Sequence, residues 1–452
     1  MTPSLSGFLH KALSQHSERS FNDAWTYGTL ASHLACWPTA ATLDTPKAGT
    51  AIAVRLPDRL DFTLAALATL HSGCIPALLH MDLPESAIEE RLKRAGIHLH
   101  VKAGNWCALR GNDHVSHNLV ENTALVACTS GTTGLARFTQ HSAAGVLANL
   151  QGIQEYLNIG TDDHMLVLRE PSYLSVFVGE ILLAIAHGAR LSFSPRRFTP
   201  HFFVQTVLNG GVTCLTATAS VLHALLPTIK REAAQLRSLR FVQLLGEGAS
   251  LETIEGLATA LPDAEVIHAY GLTEAGPRLT AWSSRKHPRE RACVGEPISG
   301  VHLRVPDAET GELWVHSSAM MLGYVGERGA SPDWLATHDY GRVDERGLVF
   351  VEGRTDDIIN RSGIKFMPTQ IEQLLNEHPA VRASLIQARG MGYGIRLRAL
   401  IELVEGQQVQ PDELLRFVRY RLPSAMWVDD VEFVTVLPCK SSGKLDRAVT
   451  TA

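Results

Sequence analysis

The 452-residue chain has little that would draw it to a charged polymer or into a membrane. Its formal charge is only −5 at neutral pH, from 41 lysines and arginines against 46 acids, so there is no electrostatic drive toward nucleic acid or anionic lipid. No apolar run is long enough to cross a bilayer, and the start, MTPSLSGFLHKAL, lacks the charged-then-apolar layout of a secretion signal. Cysteines are few, seven in all (Cys36, Cys74, Cys107, Cys128, Cys214, Cys293, Cys439), widely spaced and odd in number. That pattern reads as reduced thiols in a cytoplasmic protein rather than a disulfide framework. The 20 histidines are scattered, with no HExxH and no Cys/His cluster at metal-ligand spacing. Tandem repeats and long low-complexity linkers are also missing.

What is present is an alternation. AIAVRL (51–56) reads as a strand and RLDFTLAALATLHSG (59–73) as a helix ending at glycine. HMLVLRE, VGEILLAIAHG and RLSFS repeat the pattern, as do FFVQTVLNG, VTCLTAT, SVLHALLPTI, LRFVQLLG, LETIEGLATAL and EVIHAYG. Strand–helix alternation of this kind predicts an α/β fold with mixed, largely parallel sheets flanked by helices. Near Gly311 the texture changes: GELWVHS and GLVFVEG read as successive strands of a small β unit. After Gly353 the order helix, two strands, helix, strand predicts a small α+β domain. The expected boundaries are therefore 1–353 for a large N-terminal domain and 354–452 for a C-terminal one, joined by a short hinge.

One stretch poses the functional question. In ALVACTSGTTGLARF (124–138), an apolar strand runs into a loop of glycine and hydroxyl residues, expected to lead into a helix and so to cradle an anion such as a polyphosphate. It is not the mononucleotide loop GxxxxGK[ST], because Leu-Ala-Arg follows Gly134. TSGTTG (129–134) resembles the phosphate loop of the AMP-forming adenylating superfamily, which includes acyl- and aryl-CoA synthetases, peptide-synthetase adenylation domains and luciferases. Further signatures follow in the superfamily's order: GEGASL (246–251), AYGLTE (269–274), GELWV (311–315) with GY (323–324), LATHDYGRVD (335–344), GRTDDIINRSGIKFMP (353–368) and PCKSSGKLDR (438–447). The resemblance covers nearly the whole chain, although the chain is short for that family.

The resemblance implies ATP-dependent activation of a carboxylic acid through an acyl-adenylate, a reaction that depends on positioning and on neutralising developing negative charge. It assigns the phosphates to Thr129, Ser130, Gly131, Thr132, Thr133 and Gly134, assisted by Arg137, which keeps a positive charge where lysine is usual. It assigns adenine to Gly246, Glu247 and Gly248 and to Ala269, Tyr270 and Gly271. Thr273 is expected on the α-phosphate, Glu274 on Mg²⁺, Asp339 with Arg354 on the ribose, and Lys444 between the substrate carboxylate and phosphate. Asp356 matches the hinge about which the C-terminal domain turns, and Gly363, Ile364 and Lys365 the loop then presented to a thiol. Departures from the family pattern are Ala143 where histidine is common, His268 for asparagine, His338 for glycine and Asn360 for lysine.

For the acid, the resemblance points to Tyr173, Leu174, Ser175 and Gly179, with Gly179 expected one α-helical turn beyond Ser175 on the same face. Ser175 replaces the aspartate that holds an ammonium in amino-acid-activating relatives, so an aryl or apolar acyl acid is expected in an apolar pocket. Tyr173, Val176 and Phe177 fit either the pocket wall or the core. The acceptor implied is coenzyme A or the phosphopantetheine thiol of a carrier protein acting in trans, and neither nucleic acid nor membrane is an expected partner. Two alternatives stay open: release of acyl-AMP without a thioester step, and an inactive relative that binds nucleotide or a partner.

Overall fold

The computed structural model describes residues 3–37, 46–81, 88, 92–93, 95–97, 99–102, 105–108, 119–129, 137–306, 308–327, 332–361, 364–389 and 395–438. The chain divides into two compact units: Met1–Leu303 with Val315–Leu335 and Arg346–Val349, and Arg304–Trp314 with Ala336–Glu345 and Phe350–Ala452. The second unit thus takes in two segments that precede the hinge motif in sequence.

The first unit is α/β. One sheet is built from β1 (Ala51–Val54), β2 (Ile75–Leu78), β3 (Leu99–Lys102), β4 (Asn105–Ala108), β5 (Thr123–Cys128) and β6 (Phe138–Ser142), with the short strand Gly323–Tyr324 at its edge. Its order is Gly323–Tyr324, β6, β5, β2, β1, β3, β4. β3, β1, β2 and β5 run parallel, whereas β5–β6 and β3–β4 are antiparallel. The helix Arg59–His71 returns the chain from β1 to β2; its start is capped by the Asp58 carboxylate, which accepts from the N–H groups of Leu60 and Asp61, and nearly every later side chain is buried.

The second sheet holds β7 (His164–Val167), β8 (Arg190–Phe193), β9 (Cys214–Ala217), β10 (Phe241–Leu245), β11 (Glu265–Leu272), β12 (Gly276–Ser283) and β13 (Cys293–Pro297), in the order β8, β7, β9, β10, β11, β12, β13. From β8 to β11 neighbouring strands are parallel, and β12 and β13 are added antiparallel. Strands AIAV, HMLV, CLTA and FVQLL are buried at every position, as a sheet covered on both faces requires.

The segment expected as one helix after β7 is not a plain α-helix. A single turn, Leu174–Val176, passes into a π-wound stretch, Phe177–Leu182, before α geometry resumes over Leu183–His187 and ends at Gly188, whose φ is +67°. π-winding of this kind is rare and often marks functional sites.

The extended segments Leu335–Val343 and Val349–Arg354, whose residues lie mostly in the second unit, precede the turn Thr355–Asp357. Beyond it, the helices Pro368–Leu375 and Pro411–Arg421 accompany a sheet of Val381–Arg389, Arg396–Leu403 and Asp430–Val434. Its core includes Ile371, Leu375, Leu397, Ile401, Leu414 and Val418.

Candidate active site

The hydroxyl-rich loop leaves β5 at Cys128. Thr129 is buried; Ser130, Gly131, Thr132, Thr133 and Gly134 lie outside the described residues. The Thr129 N–H donates to the Arg137 carbonyl at 2.8 Å, and the Arg137 N–H donates to Thr129 Oγ1 at 3.2 Å. The loop is therefore the tip of an antiparallel hairpin. The expectation that it runs directly into a helix is overturned, because β6 intervenes. Phe138, Thr139, Gln140 and His141 are all buried between β5 and Gly323–Tyr324, and the helix Ala143–Leu157 starts only after the Ser142 cap. His141 is fully enclosed and burial pushes its pKa down to about 4, so it is neutral near pH 7. Ala143 is simply the first, buried residue of that helix.

At the far side of the hairpin, Arg137 is paired with Glu327, and its guanidinium carbon lies 3.3 Å from the centre of the Tyr324 ring. The Tyr324 hydroxyl donates to Glu274 Oε1 at 3.0 Å. Glu274 sits with Thr273 in the tight turn between β11 and β12, and its carbonyl accepts from the Met321 N–H at 2.8 Å. Burial, then the neighbouring Glu274 charge, lifts the Tyr324 phenol far above its ordinary range, so it remains a donor. Arg137, Tyr324 and Glu274 thus form a continuous row. The GY pair was legible in sequence; that its tyrosine links these charges was not.

Gly246 follows β10 with φ +94°, and a Cβ there would meet only Arg169 Nη2, at 3.7 Å; at Gly248 it would meet nothing within 4 Å. Glu247 accepts from the Ser220 N–H. Ala269 is buried on β11, and Tyr270 is half-buried against the core. Gly271 has a structural reason to be glycine: a Cβ would come within 2.2 Å of the Pro277 carbonyl oxygen across the β11–β12 turn. His268, also buried on β11, lies with Nδ1 3.3 Å from the Cys293 carbonyl; burial, with help from Arg289, pushes its pKa down to about 4.

The segment expected to hold the acid has more charge around it than its sequence suggested. Arg169 Nη2 donates to Ser175 Oγ at 2.8 Å, and its Nη1 lies 3.8 Å from Glu180 Oε1. Arg278, 0% exposed, donates to the Ser175 carbonyl and to Gln243 Oε1, each at 3.3 Å. Burial pushes Glu180 up to about 7, against the opposing pull of Arg169, Arg278 and Arg59. The expectation of a wholly apolar environment at Ser175 is therefore corrected. So is the helical spacing: Gly179 falls in the π-wound stretch, where a Cβ would press on Arg278 Nη2 at 3.1 Å. Leu174, Val176 and Phe177 are core residues. Tyr173 packs on His80 with ring centres 4.4 Å apart and planes tilted by 39°, and His80 bridges Ser172 Oγ (2.9 Å) and the Cys128 carbonyl (3.1 Å). Arg169, Glu180, Arg278 and His80 carried no sequence signal, because they belong to none of the motifs and their contacts arise only on folding.

In the second unit, Arg354 Nη1 donates to Asp339 Oδ1 at 2.9 Å and to the Thr337 carbonyl at 3.1 Å. The buried Asp339 is further fixed by its N–H to Thr337 Oγ1 at 3.1 Å. His338 adopts φ +59°, the left-handed region that favours glycine, and its Nδ1 is 3.0 Å from Glu312 Oε1. Asp356 is exposed in its turn, and Asn360 is exposed on the strand Ile359–Arg361, opposite Lys365 of Ile364–Phe366. Gly363 and Lys444 lie outside the described residues.

The profile of the family described as AMP-binding enzyme matches residues 112–325, which include the hairpin, Ser175, Glu274 and Tyr324. The chain is 25% identical over 349 residues to peroxisomal OPC-8:0-CoA ligase 1 of Arabidopsis thaliana, a match covering 72% of this chain but only 63% of that protein. It is 25% identical over 417 residues to 4-coumarate–CoA ligase-like 3 of the same plant, covering 86% and 73%. Among solved structures it resembles ATP-bound MatB from Rhodopseudomonas palustris, with a TM-score of 0.84 at 18% identity, over 98% of this chain and 97% of that one. The profile match over residues 112–325, the CoA-ligase relatives and the shared fold together bear out the resemblance to the AMP-forming adenylating superfamily.

Proposed function

We propose that the protein uses ATP to activate a carboxylic acid as its acyl-adenylate and then passes the acyl group to a thiol. The observation that carries this reading is the row Arg137–Tyr324–Glu274, which sets a phosphate-seeking guanidinium and a hard carboxylate on either side of one tyrosine. The substrate carboxylate oxygen attacks the α-phosphorus of ATP as the bond to pyrophosphate breaks. Thr129, Ser130, Thr132 and Thr133 offer hydroxyls to the phosphates, with Gly131 and Gly134 allowing close backbone approach, and Thr273 meets the α-phosphate. No group of three or more candidate metal ligands occurs among the described residues. A lone Glu274 carboxylate suits Mg²⁺, which is commonly held by one or two carboxylates plus substrate phosphates and water; when bound, the ion neutralises charge on the phosphate oxygens. Asp339, held by Arg354, accepts from the ribose hydroxyls, and Gly246, Glu247, Gly248, Ala269, Tyr270 and Gly271 border the adenine. Lys444 bridges carboxylate and phosphate while adenylation proceeds.

In the second step, the C-terminal domain turns about Asp356, a thiol attacks the acyl carbon, and AMP leaves. The CoA ligases among the relatives support coenzyme A as acceptor, with a carrier-protein phosphopantetheine as the other thiol of the same chemistry. The acid is aryl or apolar acyl in its body. Carboxylate-dependent exchange of pyrophosphate into ATP across acyl, aryl and amino acids tests the reading. An amine-free acid should support exchange, and Lys444→Ala should slow it about 10²–10³-fold while sparing thioester formation from supplied acyl-AMP. Exchange with no acid at all would reject acid activation; equal loss in both half-reactions would remove Lys444 from its role.

A further inference from the structure

The wall beside Ser175 is built for more than hydrocarbon. The Arg169 side chain is only 10% exposed, and one of its terminal nitrogens is committed to Ser175 Oγ. The other, Nη1, has no hydrogen-bond partner; Glu180 Oε1, at 3.8 Å, lies beyond bonding reach and is itself unpartnered. A buried N–H left unmade costs stability. Behind it, Arg278 adds a second buried positive charge, held by the Ser175 carbonyl and by Gln243. On the side of the adenine-side loop, a Cβ at Gly246 would touch nothing but Arg169 Nη2, at 3.7 Å, so this glycine leaves room beside the guanidinium. The π-wound turn Phe177–Leu182 carries Gly179, whose lack of a side chain leaves room for Arg278, and Glu180.

We propose that the acid activated here carries a hydrogen-bond-accepting oxygen (hydroxyl, carbonyl or carboxylate) away from its reacting carboxylate, and that Arg169 is the specificity residue that binds it. This rests on the acid-activation reading and narrows its substrate class. A purely hydrocarbon acid would shut water away from the second N–H of Nη2 and leave Nη1 as it is, buried and unpaired, whereas an oxygen in the space beside Gly246 adds a bond to the guanidinium. Sites built to bond a substrate oxygen discriminate strongly against analogues that lack it.

The test compares benzoate with 4-hydroxybenzoate and terephthalate, and hexanoate with 6-hydroxyhexanoate and adipate. An oxygen-bearing acid of at least one set should exceed its hydrocarbon parent by about tenfold or more in kcat/KM for exchange. That ratio should fall close to one in Arg169→Met and be intermediate in Arg169→Lys, which keeps the charge but loses the planar fork. A wild-type preference for the hydrocarbon parents overturns the proposal, and does so even if neither variant folds. A ratio unchanged in Arg169→Met, with all acids slowed alike, also overturns it, since Arg169 would then hold the reacting carboxylate. Ligand-induced shifts in melting temperature, measured on the same acids, separate this proposal from the broader one. If no acid supports exchange, acid activation fails; a larger shift with the oxygen-bearing acids, lost in Arg169→Met, would still uphold the subsite, and equal or absent shifts would refute it.

Discussion

At the scale of single residues, the charged groups reach their positions through neighbours that the sequence keeps far apart. Tyr324 is the clearest case, because it gives its hydroxyl to Glu274 and its ring face to Arg137. Tyr324→Phe should keep the stacking and lose the hydrogen bond, lowering the exchange rate by about tenfold and raising the Mg²⁺ concentration needed for half-maximal rate. Tyr324→Leu should do worse on both counts. Magnesium titrations of the two variants that overlay the wild type would show that Tyr324 only fills space. Glu180 supplies a second test, through pH. Its native pKa is raised to about 7 from an ordinary 4.5, with burial outweighing Arg169, Arg278 and Arg59. Between those values the unfolded chain has lost a proton that the native protein keeps, so stability falls as pH rises through the window and levels off above it. The slope contributed is at most about 1.4 kcal/mol per pH unit. In urea melts at pH 5 and pH 7.5, Glu180→Gln should lose less stability than the wild type on going to the higher pH. Parallel changes in the two proteins would contradict the assignment.

At the scale of elements, local sequence failed where tertiary pairing decides. The stretch Phe138–Ser142 is short and carries polar Thr139, Gln140 and His141, yet it is a buried strand because β5 lies on one side and Gly323–Tyr324 on the other. The run after β7 has helical composition throughout, and nothing in it announces the π-winding of Phe177–Leu182. The GRTDD motif coincides with the end of a strand at Arg354 and the turn Thr355–Asp357, where the proposed hinge lies. Asp356→Pro fixes φ near −65°, a value compatible with a 3₁₀ turn and obstructive to a backbone that must change conformation. One half-reaction should fall much further than the other, measured as pyrophosphate exchange against thioester formation from acyl-AMP. Unchanged rates in both would place the pivot elsewhere.

At the scale of the whole molecule, the α/β architecture was legible because alternating apolar strands and amphipathic helices repeat through most of the first unit, and the ordered motifs pointed to the superfamily. Residues that lie within a motif, such as Glu274, Asp339 and Arg354, were candidates from the sequence alone. Arg169, Glu180, Arg278 and His80 were not, because they belong to no motif and their contacts are made only on folding, such as those of His80 with Ser172 and Cys128. The central claim is that the acid's own oxygen bonds to the α-phosphorus, and following that oxygen tests it most directly. The protein would be incubated with ATP, Mg²⁺, coenzyme A and an accepted acid labelled with ¹⁸O in its carboxylate, and the nucleotide products analysed by mass spectrometry. An acyl-adenylate predicts AMP carrying one heavy oxygen from the acid; ADP as the nucleotide product, or AMP without the label, would contradict it.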